Sequence, residues 1–363
     1  MEELGKLFEQ YDNLTDEVHA PSVTKQCVFC GENPLSKNKE HILPMWLIEY
    51  TGDPNRLMNL PVFDFEKRIY SMKPVAFDQF VFPACEVCNN RFAELEGKAK
   101  QAFLGLLENR TINMQCAEIL LDWFDKVRVG LWLAAQVWDK SPAQIQPRFH
   151  IQDRIAMHDR ILWFSSCKQS QKCLRFTGIN DPIFKFIPSY VSLRVCNMAF
   201  VSASAIGLCA GPLGLPRIKI HRRADDRYVD AEIVMPKPGK RSNWPAAPTK
   251  FHILAQACYS DLLRDIEIEN SIRDRMIGKF KSKPHLYYND RLVCLNDSAV
   301  RLDLNEYTLS EDLSKAELQL YDKLRRHIVK AMPHHIKKSS RVWKKIMKRM
   351  LFLFPIRSFE VRK

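Results

Sequence analysis

Apolar side chains return at helical spacing in two long stretches of the first half of the chain. Phe92, Leu95, Ala99, Ala102, Phe103, Leu106 and Leu107 line one face of an expected helix, and Asn89 and Asn90, just before them, are good residues to begin one. Residues 117–140 carry a second pattern, with Ile119, Leu120, Trp123, Val127, Leu131, Leu133, Ala134, Val137 and Trp138. So apolar a helix is expected to pack inside the protein. Strand-like runs follow at residues 160–165, 174–178, 189–203 and 217–221, with Gly211-Pro212-Leu213-Gly214 as turn chemistry among them. Lys237-Pro238-Gly239-Lys240-Arg241-Ser242 reads as an exposed basic loop, and a helix is expected over residues 254–280. This middle region reads as a mixed α+β domain over residues 111–310. Its aromatic residues Trp163, Phe164, Phe176, Phe184 and Phe186 suit a core better than a base-stacking surface.

The last stretch predicts two helical pieces, residues 313–332 and 339–354, separated by Pro333-His334-His335, which offers too few ligands for a metal. In the second piece Val342, Trp343, Ile346, Met347 and Met350 form an apolar stripe surrounded by Arg341, Lys344, Lys345, Lys348 and Arg349. Charge sharpens this picture. The chain carries a formal net charge of +13, and residues 323–363 hold 14 Lys and Arg against the single acid Glu360. The preceding residues balance at 41 bases and 41 acids, so the whole excess lies in residues 323–363, within a basic helical tail expected over residues 311–363. Such a tail fits a nucleic-acid backbone first, by counterion release that does not read sequence. Docking on the protein's own core or a partner subunit comes second, and peripheral contact with an anionic membrane third.

A length of 363 residues allows about two domains with ample core. The opening Met1-Glu2-Glu3-Leu4-Gly5 is acidic and lacks the apolar core of a signal peptide, and no apolar run approaches the roughly 20 residues that cross a bilayer. Eleven cysteines is an odd number, and Cys116, Cys167, Cys173, Cys196, Cys209, Cys258 and Cys294 are scattered, mostly in apolar surroundings, as free buried thiols would be. The expected compartment is a reducing cytoplasm. Walker motifs, Gly-rich dinucleotide loops and internal repeats are absent from the sequence.

The remaining four cysteines form two pairs, Cys27-Val28-Phe29-Cys30 and Cys85-Glu86-Val87-Cys88, that bracket Glu40-His41. Thiolates two residues apart reach one ion from a tight knuckle, and two knuckles complete a tetrahedral four-cysteine zinc site. A closed four-thiolate site has no open position and cannot activate water. Chemistry, if present, therefore belongs to other residues. Glu40, His41 and Asn89 stand next to the knuckles, and Glu and Asn oxygens suit magnesium or manganese while a neutral imidazole accepts a proton.

Cys-x-x-Cys, then Glu40-His41-Ile42-x-Pro44, then Cys-x-x-Cys-Asn89 resembles the His-Asn-His (HNH) endonucleases of the ββα-metal class that carry a four-cysteine structural zinc, over about residues 20–110. The resemblance implies an α+β fold with an N-terminal zinc-stabilised ββα module and hydrolysis of phosphodiesters, in DNA rather than RNA. It implies Glu40 and Asn89 on a catalytic Mg²⁺ or Mn²⁺, His41 as general base, and Zn²⁺ on Cys27, Cys30, Cys85 and Cys88. Asn90 and Glu96 are supporting candidates, Glu96 lying seven residues, about two turns, beyond Asn89 on the same helix face. The middle Asn of the family pattern has no clear match in this sequence; Asn59 and Asp78 are the two candidates. Residues 51–74 read as an inserted loop. Nucleases of this kind occur in bacterial defence and in mobile elements, and a regulatory partner or a homodimer would suit one. The alternative is a non-catalytic zinc-binding module in a nucleic-acid or protein assembly.

Overall fold

The structure, a computed structural model, describes residues 27–32, 38–64, 69–79, 81–138, 151–152, 154–166, 173–179, 181, 183–184, 188–205, 207–211, 213, 217–222, 229–234, 251–258, 282–288, 291–304 and 313–331. It is a mixed α+β protein with few helices and one large antiparallel sheet. The chain divides into two compact units: Met1–Lys100 with Lys126–Ile155, and Gln101–Asp125 with Ala156–Lys363.

In the first unit, strand β1 (Asn38–His41) pairs antiparallel with β4 (Val81–Ala84), Glu40 opposite Phe82 and His41 opposite Val81. Two strands of four residues do not hold themselves together in water. They are extended by the first cysteine knuckle, whose Val28 N–H donates to the Pro83 carbonyl at 3.0 Å, and are followed directly by helix α2 (Glu86–Leu104). Helix α1 (Met45–Tyr50) follows β1 and buries Leu47 and Ile48. The expected inserted loop over residues 51–74 is instead largely a hairpin, β2 (Leu57–Asp64) against β3 (Ile69–Ala76). Its two prolines, Pro61 and Pro74, suggested a loop, but a two-stranded hairpin leaves each strand an outer edge on which a missing N–H costs no ladder bond.

Helix α3 (Met114–Trp138) matches the expected second helix. Its first half belongs to the second unit and its second half to the first. In the first unit Gly130 lets α3 approach β1's exit closely, since a Cβ there would stand 3.2 Å from Ile42 Cγ2.

The second unit carries a short antiparallel pair, β5 (Thr111–Ile112) with β15 (Val300–Arg301), and is built on seven antiparallel strands: β6 (Arg160–Ser166), β7 (Leu174–Thr177), β8 (Tyr190–Val195), β9 (Met198–Ser204), and, after the separate hairpin β10 (Arg217–Arg222)–β11 (Val229–Val234), β12 (His252–Gln256), β13 (His285–Tyr288) and β14 (Arg291–Cys294). Their order is β14-β13-β12-β6-β9-β8-β7. Ile161, Trp163, Tyr190, Ala199, Val201, Ala203, Ile253 and Ala255 face one side, where helix α4 (Leu313–Ala331) adds Leu320, Tyr321, Leu324 and Ile328. On the other, Phe164 and Phe200 meet the α2 and α3 segments through Phe103, Trp123 and Phe124. With both faces covered, central strands become continuous apolar runs rather than alternating ones.

That coverage explains two differences from the expected elements. The run over residues 189–203 is a hairpin that reverses at Cys196-Asn197, with Cys196 in the left-handed region at φ 51°. The helix expected from residue 254 is at its start a strand, because Leu254, Ala255 and Gln256 pair with both β6 and β13. A short unbroken apolar run does not separate buried strand from buried helix. Residues 259–281 lie outside the described residues, as do residues 237–242. Trp163, Phe164 and Phe184 are core, as expected, and Phe186 is outside the described residues. Of the free cysteines only Cys209 and Cys258 are buried outside the paired set; Cys116, Cys173 and Cys196 are half-buried, Cys294 is exposed, and Cys167 is outside the described residues.

The expected helix at residues 313–332 is α4. It docks on the sheet through its apolar stripe and through Arg325, whose Nε donates to Asp181 Oδ2 at 2.7 Å and to the Tyr190 hydroxyl at 3.2 Å. Arg341, Lys344, Lys345, Lys348, Arg349 and Pro333-His334-His335 lie outside the described residues. No helix among the described residues is long and apolar enough to cross a membrane. Removing one partner of a buried ion pair strands the other charge, so Arg325→Met is expected to lower unfolding free energy by about 3 kcal/mol in a urea titration, and Asp181→Asn/Arg325→Met by clearly less.

Candidate functional site

Two knuckles bring four sulfurs together. In the first, Gly31 N–H donates to the Cys27 carbonyl at 2.8 Å and Cys27 N–H to the Glu32 carbonyl at 2.8 Å, a turn that Gly31 completes at φ 77° where a side chain would be strained. The second knuckle is the start of α2: Cys88 N–H points at Cys85 Sγ, 3.4 Å away, and Asn89 N–H donates to the Cys85 carbonyl at 2.9 Å. The Sγ atoms of Cys27, Cys30, Cys85 and Cys88 all lie within 4.8 Å of one another, Cys27 and Cys88 buried and the other two half-buried. A tetrahedron with Zn–S bonds of about 2.3 Å has S···S edges of about 3.8 Å. Cys30 and Cys85 are separated by 3.8 Å.

Electrostatics points the same way. Burial pushes the Cys30 and Cys88 thiols up, while Cys85, against the same burial effect, is held down by the Cys88 N–H and the neighbouring thiols. Four thiolates this close repel one another unless a cation neutralises them, and a metal deprotonates them together. The group can hold a metal such as zinc.

From this cluster one face of α2 runs to the Glu-His pair. Cys88, Phe92 and Glu96 repeat every four residues; Phe92 stacks on Phe29 of the first knuckle with ring centroids 3.9 Å apart, and Glu96 bonds to Lys126 of α3. Lys126 is 2% exposed and donates to the carboxylates of both Glu40 and Glu96, and to the His41 carbonyl at 3.3 Å. Its Nζ also stands 5.9 Å from the centre of the Phe29 ring. Burial raises the Glu96 carboxyl to about 7, a shift that the Lys126 charge opposes and the Glu40 charge reinforces.

A comparison with family models, curated proteins and solved structures returns no match. The site therefore rests on its own geometry.

Adjacent residues of a strand face opposite sides, and the two members of the pair do so here. Glu40, 8% exposed, turns toward Lys126. His41, half-buried, turns its ring toward the one-turn segment Phe77–Gln79, where Nε2 lies 3.1 Å from the Asp78 carbonyl oxygen. A carbonyl only accepts, so Nε2 carries the proton and, in the neutral ring, Nδ1 is the nitrogen with the free lone pair. The Asp78 turn is itself braced: Arg56 donates to the Ile48 carbonyl at 3.1 Å and to Thr51 Oγ1 at 2.7 Å, lies over the Phe77 ring at 4.6 Å, and gives its own carbonyl to the Phe77 N–H. Of the two candidates for the middle position, Asp78 touches His41, whereas Asn59 is exposed in the β2–β3 hairpin opposite Pro74. Asp78 Oδ1 is buried without a hydrogen-bond partner among the described residues.

Asn89 sits in the first turn of α2 rather than ahead of it, because the helix begins at Glu86 and the Cys85–Cys88 knuckle is its opening turn. Asn90 is exposed. Among the described residues, no other group of three or more His, Cys, Asp or Glu converges as the cysteines do. Lys126 is the residue that sequence reasoning missed. Its signal was a charge inside a stripe so apolar that the helix had to be buried, with Phe124 and Val127 beside it, which requires an internal counter-ion.

Two outcomes follow from this geometry. Purified protein should carry one zinc per chain by elemental analysis, and Cys88→Ser should abolish retention and lower the melting temperature by on the order of 10 °C, since metal binding is coupled to folding. Glu96 titrates at about 7 in the fold against an ordinary 4.5. Its contribution is thus present below about pH 4.5 and lost as pH rises to 7, up to about 3 kcal/mol. In zinc-loaded protein between about pH 5 and 7, Glu96→Gln should flatten the decline of the urea midpoint seen in wild type.

Proposed function

We propose that the chain is a metal-dependent endonuclease of HNH type that hydrolyses phosphodiester bonds in DNA, with zinc on the four cysteines as a structural pin. The observation that carries this reading is the His41 imidazole, fixed through Nε2 by the Asp78 carbonyl on a turn braced by Arg56, with Nδ1 left as acceptor. That is how a general base is oriented: one nitrogen holds the ring, the other takes the proton. Nδ1 accepts a proton from water as the water oxygen attacks phosphorus, and the opposite P–O bond breaks in line.

The donor types this proposal calls on suit a hard divalent cation: the second carboxylate oxygen of Glu40, on the strand face opposite the His41 ring, and the side-chain oxygen of Asn89 in the first turn of α2. Such an ion supplies charge neutralisation at the scissile phosphate and at the leaving oxygen. Glu40 brings only one oxygen, because Lys126 engages the other. The basic tail, residues 323–363, is proposed to hold the phosphate backbone near this site, without reading its sequence. A role in bacterial defence or in a mobile element, with a regulatory partner or a homodimer, belongs to the same proposal.

A second reading, a non-catalytic zinc module in a nucleic-acid or protein assembly, is favoured by one observation. Glu40 is buried and already paired with an ammonium, as a purely structural carboxylate would be.

A plasmid assay separates the two. With Mg²⁺ or Mn²⁺ the wild type should nick or cut supercoiled DNA and EDTA should stop it. His41→Ala should lower the rate by at least about 10²-fold, the scale of a lost general base, with zinc content and melting temperature unchanged. Equal rates for wild type and variant, or no cleavage of any DNA or RNA with several metals, would leave the non-catalytic module standing.

A further inference from the structure

Burial of Lys126 is a cost that the fold does not need. Trp123, Phe124, Val127, Val129 and Leu131 around it on α3 are all buried apolar residues, and a methionine at position 126 would fill a similar volume without a charge to desolvate. An ammonium has three protons, and Lys126 Nζ has three acceptors: one oxygen of Glu40, one of Glu96 and the His41 carbonyl oxygen. Two of the three belong to the Glu40-His41 dipeptide. A fully satisfied charged donor in a dry place has one low-energy geometry, so the dipeptide is held at a side chain and at the backbone by the same atom.

We propose that Lys126 is a positioning residue of the Glu40–His41 site, holding the Glu40 carboxylate and the His41 backbone in one arrangement, with Glu96 as the balancing carboxylate. What is positioned rests on the nuclease reading; that Lys126 fixes the dipeptide does not. His41 hangs from two supports on opposite sides, the Asp78 carbonyl at its ring and the Lys126 ammonium at its backbone. Loss of either lets the ring drift by the fraction of an ångström that matters to proton transfer.

The test uses the full zinc-loaded chain. Lys126→Met alone leaves two buried carboxylates facing each other and is expected to fold poorly. Lys126→Met/Glu96→Gln restores the charge balance, and Lys126→Arg keeps a cation of different reach. Both should keep their zinc and most of their melting temperature, yet cleave plasmid about 50-fold more slowly through kcat, with KM for DNA within about twofold. Wild-type kcat in either folded variant would make Lys126 a mere counter-ion and overturn the proposal.

A second readout works without catalysis: the ¹³C-labelled histidine spectrum, with the His41 signal assigned by its loss in His41→Ala. Lys126→Met/Glu96→Gln and Lys126→Arg should shift or broaden the His41 signal while the other histidines stay put. A His41 signal unchanged in both overturns the positioning role. If the wild type cuts nothing but the His41 signal moves as expected, the nuclease reading fails and the positioning stands.

Discussion

Four thiols crowded within 4.8 Å of one another are a constraint before they are a motif. Ionised, they repel, and a cation held by all four would relieve that repulsion. A cation there would matter to the first unit because its β1–β4 sheet is only two strands of four residues. One knuckle extends the sheet through Val28 and the other opens α2, so a metal on the four cysteines would tie a strand edge to a helix start. Phe29 on Phe92 then carries the alignment one turn further into the core.

Past the aromatic pair the organising force becomes charge. Lys126 gathers Glu40, Glu96 and the His41 carbonyl around one ammonium. Two carboxylates against one cation leave the cluster short of positive charge; burial is what chiefly raises the Glu96 carboxyl, and the Glu40 charge adds to it against the pull of Lys126. The same shortage bears on function in both directions. It would favour a divalent ion at the remaining Glu40 oxygen, and it would equally be met by a proton on Glu96. The catalytic and structural readings differ in which of these happens.

The second unit solves a different problem by the same rule that buried charge must be answered. Arg160, at the start of the central strand β6, is 1% exposed and donates to Gln256 of β12, to Asp122 and to Asp125 on α3. Asp159 beside it accepts N–H bonds from Cys209, Ala210 and Cys258. These contacts fix register in a sheet whose apolar faces alone would tolerate slippage.

What the sequence determined by itself was whatever local spacing encodes. Two Cys-x-x-Cys pairs announce a four-sulfur cluster because both partners of each pair lie in one turn, and helices α2, α3 and α4 are legible because a 3.6-residue period survives over many turns. Tertiary structure decided the rest. The hairpin at residues 57–76 contains turn-forming residues that also suit a loop, and β12 is an apolar run whose strand character comes only from β6 and β13 on either side. Lys126 meets Glu40 across 86 residues and Asp78 meets His41 across 37. No spacing rule reaches so far, because a buried charge chooses its partner from what the fold brings near, not from what the chain places next to it.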